Sequence, residues 1–327
     1  MRYGMFLKVF SAVVLLLGFP FTGNSATVYV ANQGIDKIQA VDTEAKKIVK
    51  EIEVTKTPHN LMFSPDKKWL FVASVGSGDI TIIDVEKGEI TGKVPTDKRA
   101  HGIALSPDGK ELYSINVGAN NVSVVDLAEK KVVATIAVGA APAVAIFSKD
   151  GKKVYVSIGG EQGISVIDAK KRQVTKNVPL PKGFHVDPKL TAGAMGVSRS
   201  GDGRNVLVAN GYAHSVSIID TAKDQVVATI PTGTETHDVT VSPDGKFAYA
   251  TNRLGQSISV IDIKARKVLH HILVSQKPDI IDVSPDGKWA FVTSREEKAL
   301  LIIDLANKKQ TEVIPLGGDP HGVAFLK

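Results

Sequence analysis

The sequence contains no cysteine in 327 residues. This absence excludes a disulfide framework, a zinc–thiolate site, an iron–sulfur cluster, a thiol nucleophile and an acylated lipoprotein cysteine. Aromatic residues are also scarce, at 6%, whereas hydrophobic residues reach 43% and charged residues 23%. This is the composition of a globular protein and not of a disordered one.

A long apolar run occurs once, at the amino terminus. Arg2 and Lys8 accompany an apolar segment at residues 9–21, and the small-residue stretch 22–26 follows it. This order is typical of a secretory signal peptide, with cleavage after Ser25 or Ala26. An uncleaved membrane anchor is the alternative, but the run of about 13 residues is short for a bilayer span of about 20. The sequence therefore predicts a signal peptide at 1–26 and a periplasmic or secreted protein without a membrane span after cleavage.

Two markers recur along the rest of the chain with the same spacing. One is an alternating apolar segment that ends in Asp, and the other is a turn that begins with Ser. The Asp residues are separated by 42 positions, apart from one step of 52: Asp42, Asp84, Asp126, Asp168, Asp220, Asp262 and Asp304. The Ser residues are Ser64, Ser106, Ser148, Ser200, Ser242 and Ser284. A shared 42-residue period indicates an array of similar supersecondary units.

Each unit contains four short strand patterns separated by turn residues. In the unit after Thr236 they cover 237–241, 247–251, 257–261 and 268–274. A repeated four-stranded unit of this length favours a β-propeller. The seven Asp markers predict seven blades in a single all-β domain at 27–327. Because the chain opens on a second strand and closes on a first strand at 321–325, we expect the last strand to complete the first blade and close the ring.

The second strands carry a motif that resembles a known family. The segments 28–32, 208–210 and 249–252 read VYVAN, VAN and YATN, and they resemble the repeats of the YVTN family of seven-bladed β-propellers. The resemblance covers the whole predicted domain. It implies an exported or surface protein with a binding role. Similar repeats also occur in the haem-binding propeller domains of respiratory nitrite reductases and of their assembly partners.

Histidines concentrate at one position of the repeat, five residues before the turn Ser and close to the expected central channel. Around the ring this position holds His59, His101, Ala143, Met195, His237, Asp279 and His321. Four of the eight histidines in the chain thus share one position. Imidazole, carboxylate and thioether groups suit a transition metal such as copper, zinc or iron, or a haem-type ligand. The alternative is that duplication spread a histidine that only lines a wet channel.

Ring closure makes three of these histidines neighbours in consecutive blades. His321, His59 and His101 are therefore the favoured metal ligands, with His237 continuing the run. Asp279 could orient His321 or complete the coordination sphere. Met195 would matter mainly for copper, since a thioether favours its reduced state.

The single 52-residue step reflects an enlarged loop at about 180–191, on the same face as the histidines. Within it, His185 could help to cover the channel mouth, and His214 lies in a strand-to-strand turn on that face. Both are candidate cofactor-binding residues, because long loops on a repeat scaffold often carry function. A solvated insertion is the alternative.

Neither sign of charge dominates, because 40 basic residues face 34 acidic ones and the formal net charge is +6. Lysines such as Lys130 and Lys131 recur in the outer turns, where they would block pairing between exposed strand edges. A polyanion-binding rim is the alternative, although no stable nucleic-acid partner is expected. We interpret the chain as a monomeric, exported, non-enzymatic protein that binds a metal, a small ligand or another periplasmic protein. The alternatives are an enzyme or maturation factor of tetrapyrrole or metal-centre assembly, and a ligand-free interaction or DNA-binding scaffold.

Overall fold

The computed structural model describes residues 26–181 and 193–326. These ranges contain 28 strands in seven antiparallel four-stranded sheets, and no helix. Each inner strand contacts the inner strands of both neighbouring sheets, so the sheets form a closed ring of blades. The predicted all-β, seven-bladed propeller with four strands per blade is confirmed.

The first four blades run as follows. Blade 1 contains β1 (Thr27–Asn32), β2 (Lys37–Asp42), β3 (Lys47–Glu53) and, from the other end of the chain, β28 (Pro320–Phe325). Blade 2 contains β4 (Pro58–Phe63), β5 (Trp69–Ser74), β6 (Asp79–Asp84) and β7 (Glu89–Pro95). Blade 3 contains β8 (Ala100–Leu105), β9 (Glu111–Asn116), β10 (Asn121–Asp126) and β11 (Lys131–Ala137). Blade 4 contains β12 (Pro142–Phe147), β13 (Lys153–Ile158), β14 (Gly163–Asp168) and β15 (Gln173–Pro179).

The other three blades repeat this order. Blade 5 contains β16 (Ala194–Arg199), β17 (Asn205–Asn210), β18 (Ser215–Asp220) and β19 (Gln225–Pro231). Blade 6 contains β20 (Thr236–Val241), β21 (Phe247–Asn252), β22 (Ser257–Asp262) and β23 (Lys267–Leu273). Blade 7 contains β24 (Pro278–Val283), β25 (Trp289–Ser294), β26 (Ala299–Asp304) and β27 (Lys309–Pro315).

The ring is closed by hydrogen-bonded pairing between the two ends of the described chain. Strand β28 runs antiparallel to β1, with Val30 opposite Val323 and Val28 opposite Phe325. The expected closure by the C-terminal strand is therefore confirmed. It leaves β1 with a partner on both sides and removes a free edge next to the channel.

Both sequence markers are local turn devices. In the first, the carboxylate of Asp42 accepts hydrogen bonds from the backbone N–H groups of Glu44 and Ala45 at 3.0 and 2.8 Å. In the second, the Ser64 hydroxyl donates to Asp66 at 2.5 Å and accepts from the Trp69 backbone N–H at 3.0 Å. Such short side-chain bonds hold the chain in tight turns between strands.

The core lies between neighbouring blades. Tyr113 and Ile115 of blade 3, for example, pack with Val154 and Val156 of blade 4 in one buried cluster. The two middle strands of a blade are buried on both faces, whereas outer strands such as β3 alternate between exposed and buried positions. Packing therefore fixes each blade against the next and leaves the inner strands to line the channel.

Two kinds of connection lie together at one end of the channel, here called the upper face. They are the turns between the second and third strands of a blade and the links from one blade to the next. The β5–β6 turn bonds to the β3–β4 connection, since the N–H groups of Val75 and Gly76 donate to the carbonyls of Thr57 and Lys56 at 2.9 and 3.0 Å. The inner strands start directly below this layer. The residues singled out by the repeat therefore sit at the upper face.

Two predicted segments fall largely outside the described residues. The signal peptide at 1–26 is described only at Ala26, and the enlarged loop only at its first two residues, 180 and 181. Among the described residues, no helix has the length and apolar character needed to cross a membrane.

Candidate metal centre

A β-bulge in the inner strands sets the direction of the histidine side chains. Each singled-out residue is the second residue of its inner strand, and the pairing register shifts at that point. In blade 2, Pro58 is opposite Ser74 and Asn60 is opposite Ala73, so His59 has no partner across the sheet. A bulge of this kind re-aims a side chain, and here it brings residues of adjacent blades together.

His59 lies between two other imidazoles. Its ring centroid is 3.9 Å from that of His101 and 3.6 Å from that of His321, with interplanar angles of 40° and 36°. The rings are therefore tilted against one another at close range. Among the described residues, the donor atoms that converge within 4.8 Å include one from His321 but none from His59 or His101. The converging group shares only His321 with the set favoured by the sequence, His321, His59 and His101.

The converging donor atoms instead belong to His237, Asp279 and His321. One donor atom of each lies within 4.8 Å of the others. His237 Nε2 is 3.0 Å from Asp279 Oδ1, and His321 Nε2 is 3.6 Å from Asp279 Oδ2. A tetrahedral ion with bonds of about 2.0–2.2 Å separates its ligand atoms by roughly 3.4 Å. Small side-chain rotations would thus let all three bind one ion.

Asp279 is a buried carboxylate with one cationic side chain close by, since Arg253 Nε lies 3.4 Å from its Oδ1. Its side chain is completely buried, and neither oxygen accepts a hydrogen bond from the part of the chain described here. Since a buried charge is costly unless it is paired or coordinates a metal, the two free oxygens favour a cation at this point.

Backbone carbonyls select the ring tautomers of two histidines. His101 Nδ1 lies 2.9 Å from the carbonyl oxygen of Ala143, and His321 Nδ1 lies 3.3 Å from that of His59. A carbonyl can only accept, so in the neutral ring Nδ1 carries the hydrogen and Nε2 keeps its lone pair. In His321 this lone pair faces the Asp279 carboxylate. A cation between these two acceptor atoms, which are 3.6 Å apart, would satisfy both.

Burial and mutual proximity favour the neutral form of His59, His101 and His321. Burial lowers the pKa of His101 to about 4, and that of His321 to about 3. Burial and the charges of His101 and His321 hold the pKa of His59 well below its usual range. For Asp279, burial alone would raise the pKa, but the neighbouring His237, His321 and Arg253 side chains favour the carboxylate form and hold the pKa below its usual range. Neutral imidazoles and a carboxylate are the protonation states that metal ions bind.

Two arginines border the cluster, and the sequence analysis missed them. Arg253 and Arg295 occupy equivalent turn positions in blades 6 and 7. Arg253 Nε is 3.4 Å from Asp279 Oδ1, and Arg295 donates two hydrogen bonds to Asp319 at 2.7 and 2.5 Å. The signal was available, because the same repeat position holds uncharged residues in the other blades: Gln33, Val75, Val117, Gly159 and Gly211.

Three residues predicted from the sequence remain: Met195, His214 and His185. Met195 occupies the predicted position in β16 and is half-buried. His214 is exposed in the β17–β18 turn, where its Nδ1 accepts a hydrogen bond from the Glu235 backbone N–H at 2.9 Å. His185 lies outside the described residues.

Fold and site together define a seven-bladed β-propeller with a buried His/Asp cluster at one mouth of its channel. A family model described as YNCE-like beta-propeller matches residues 20–278 and 275–327. The chain belongs to that family. No protein of the curated collection matches it.

Solved structures with the same fold are numerous. Hydrazine synthase of Kuenenia stuttgartiensis is similar with a TM-score of 0.70 and 24% identity over 81% of this chain and 88% of that one. The dihydro-heme d1 dehydrogenase NirN, solved in complex with DHE, has a TM-score of 0.66 and 18% identity over 92% and 75%. A functionally unknown protein from Desulfotomaculum acetoxidans has a TM-score of 0.79 and 13% identity over 92% and 99%. At these identities the likeness concerns the fold alone.

Proposed function

We propose that this protein is an exported metal-binding protein, in which His237, Asp279 and His321 hold a divalent transition-metal ion at the upper mouth of the channel. The carrying observation is the buried carboxylate of Asp279, whose two oxygens accept no hydrogen bond from the described residues and lie beside two imidazoles. A metal ion would satisfy both oxygens at once. Export rests on the amino-terminal sequence pattern.

The donor chemistry narrows the choice of ion. Two imidazoles and one carboxylate suit zinc, copper(II) or iron(II), whereas calcium and magnesium prefer oxygen donors throughout. Three protein ligands also leave a position for water or another ligand, as in exchangeable and catalytic sites. His59 and His101 lie against this group and would restrict its motion.

A haem-type ligand is the second candidate, and His101 is the residue that favours it. Its imidazole is only partly buried, and its Nδ1 faces the Ala143 carbonyl, so Nε2 could serve as an axial ligand. The deeper burial of His59, His237 and His321, at 7%, 5% and 3% exposed, favours a bare ion instead. An absorption spectrum of the natively purified protein separates the two.

The test is zinc titration of metal-free protein by calorimetry, with Asp279→Asn as the main variant. We expect one site in the wild type and an affinity loss of about a hundredfold or more in the variant, because even outer partners of metal ligands contribute 10–100-fold. Asp282→Asn is the matched control, since it alters another carboxylate of the same strand, β24.

Metal content of protein purified from the exported fraction adds an independent measurement. Absence of zinc, copper and iron there, together with unchanged titrations in Asp279→Asn, would contradict the proposal. Equal losses in Asp279→Asn and Asp282→Asn would instead point to a general effect on folding, which thermal unfolding of both variants would reveal.

A further inference from the structure

Arg253 stands beside the proposed metal ligands with its hydrogen-bonding capacity unused. It lies in the β21–β22 turn, and its side chain is 21% exposed. Its Nε is buried and donates no hydrogen bond to any described residue. The two ionic contacts of the guanidinium are long, at 3.4 Å to Asp279 Oδ1 and 3.6 Å to Glu235 Oε1.

The equivalent arginine of the next blade behaves differently. Arg295 donates from Nε and a terminal nitrogen to the two oxygens of Asp319, in the bidentate arrangement typical of a saturated Arg–carboxylate pair. Of these two equivalent arginines, Arg295 is fully engaged, whereas Arg253 has only long contacts to carboxylates. A backbone hydrogen bond of 2.9 Å, from Arg253 N–H to the Glu235 carbonyl, fixes the turn that presents it.

The donors of Arg253 indicate which kind of external ligand would suit this site. A guanidinium presents its N–H groups in a planar fork that suits an anion with two oxygens. The open coordination position would accommodate such an anion next to the guanidinium.

We propose that the metal ion binds a small carboxylate as its external ligand, with one carboxylate oxygen on the ion and the other accepting a hydrogen bond from Arg253. This inference rests on the proposed function and specifies the ligand class of that site. Arginine suits the role because its planar set of donors matches the two oxygens of a carboxylate. Arg253 contacts the metal-binding carboxylate itself, so a ligand on the ion lies within its reach.

The experiment uses cobalt(II) as a spectroscopic substitute in the full-length mature protein. Sodium acetate is titrated at constant ionic strength, and the visible cobalt bands report a change in coordination. We expect a saturable change in the wild type and an acetate affinity about tenfold weaker in Arg253→Gln, since a hydrogen bond to a charged partner is lost. Cobalt affinity should change by less than about threefold, because Arg253 is not a ligand.

Two further variants keep the test decisive. Arg295→Gln alters the same repeat position but a guanidinium already paired with Asp319, and it should leave acetate affinity unchanged. Arg253→Lys keeps the charge without the planar donor set and should give an intermediate affinity. Wild-type acetate affinity in Arg253→Gln, or cobalt binding without any acetate response, would overturn this inference and leave the metal site intact. Failure of the wild type to bind cobalt would overturn the proposed function and this inference together.

Discussion

Val28, in the first strand of the described chain, is paired with Phe325, in the last strand. Both side chains belong to one buried cluster that also includes Phe291 of blade 7. The two ends of the described chain thus pair with each other at the point where the ring closes. This relationship explains how 28 short strands can form one closed domain without a disulfide.

Removal of residues 320–327 should therefore cost far more stability than the loss of an ordinary tail. Burial of Val323 and Phe325 contributes about 1.5–3 kcal/mol each, so we expect the free energy of unfolding to fall by at least about 3 kcal/mol. Urea unfolding measures it, with deletion of Lys327 alone as the control. Equal stability of the two truncated proteins would contradict the role assigned to β28.

The geometry also predicts an order among the histidine variants. His237→Ala and His321→Ala should each weaken zinc binding by about a hundredfold or more, whereas His59→Ala should cost about tenfold or less, because stacked neighbours orient ligands without binding the ion. Calorimetry on the three variants tests this order. The opposite order would return the site to the set favoured by the sequence, His321, His59 and His101.

Asp282 in the channel wall should make stability depend on pH. Burial raises the pKa of this carboxyl, although the N–H groups of Phe325 and Val283 donate to it. A raised pKa in the folded state means that the stabilising contribution is present below the unfolded value of about 3.9 and is lost as the pH rises through the folded value. In urea unfolding, Asp282→Asn should therefore gain stability relative to wild type between acidic and neutral pH. A difference independent of pH would disprove the assignment.

The outer lysines should be dispensable for metal binding. Lys130 Nζ donates to the Thr91 carbonyl of the neighbouring blade at 2.8 Å, and Lys131 pairs with Glu129. This supports their interpretation as protection of outer strand edges. Reversal of both charges to Glu should change stability by less than about 1 kcal/mol and leave zinc affinity unchanged. Loss of zinc binding, measured by the same calorimetric titration, would mean that the metal site lies on the face that carries these lysines and not on the upper face.

Export is a separate prediction from the amino-terminal pattern. The mature chain should begin at Ala26 or Thr27 and occur outside the cytoplasm. Mass spectrometry of the soluble protein from fractionated cells checks both points. Recovery of the folded protein with Met1 intact would show that the segment is not cleaved.

Much of the fold was predictable because its signals are local. The turns that begin with Ser and the turns that follow the marker Asp recur with the same period. Their hydrogen bonds join residues only a few positions apart, as between Ser64, Asp66 and Trp69. Local turn chemistry and two-residue alternation define the strands. The blade number and the ring closure then followed from counting repeats.

The sequence by itself also determined which residues could gather at the mouth, since His237, Asp279 and His321 share one position of the repeat. Only the tertiary structure decided which of them converge. The bulge at each inner strand sets the side-chain direction, the carbonyls of Ala143 and His59 set the tautomers, and tilted ring contacts hold His59 between His101 and His321. These are contacts between blades, so they depend on atoms some 40 residues or more apart in the chain, which a repeat pattern places nearby but does not orient.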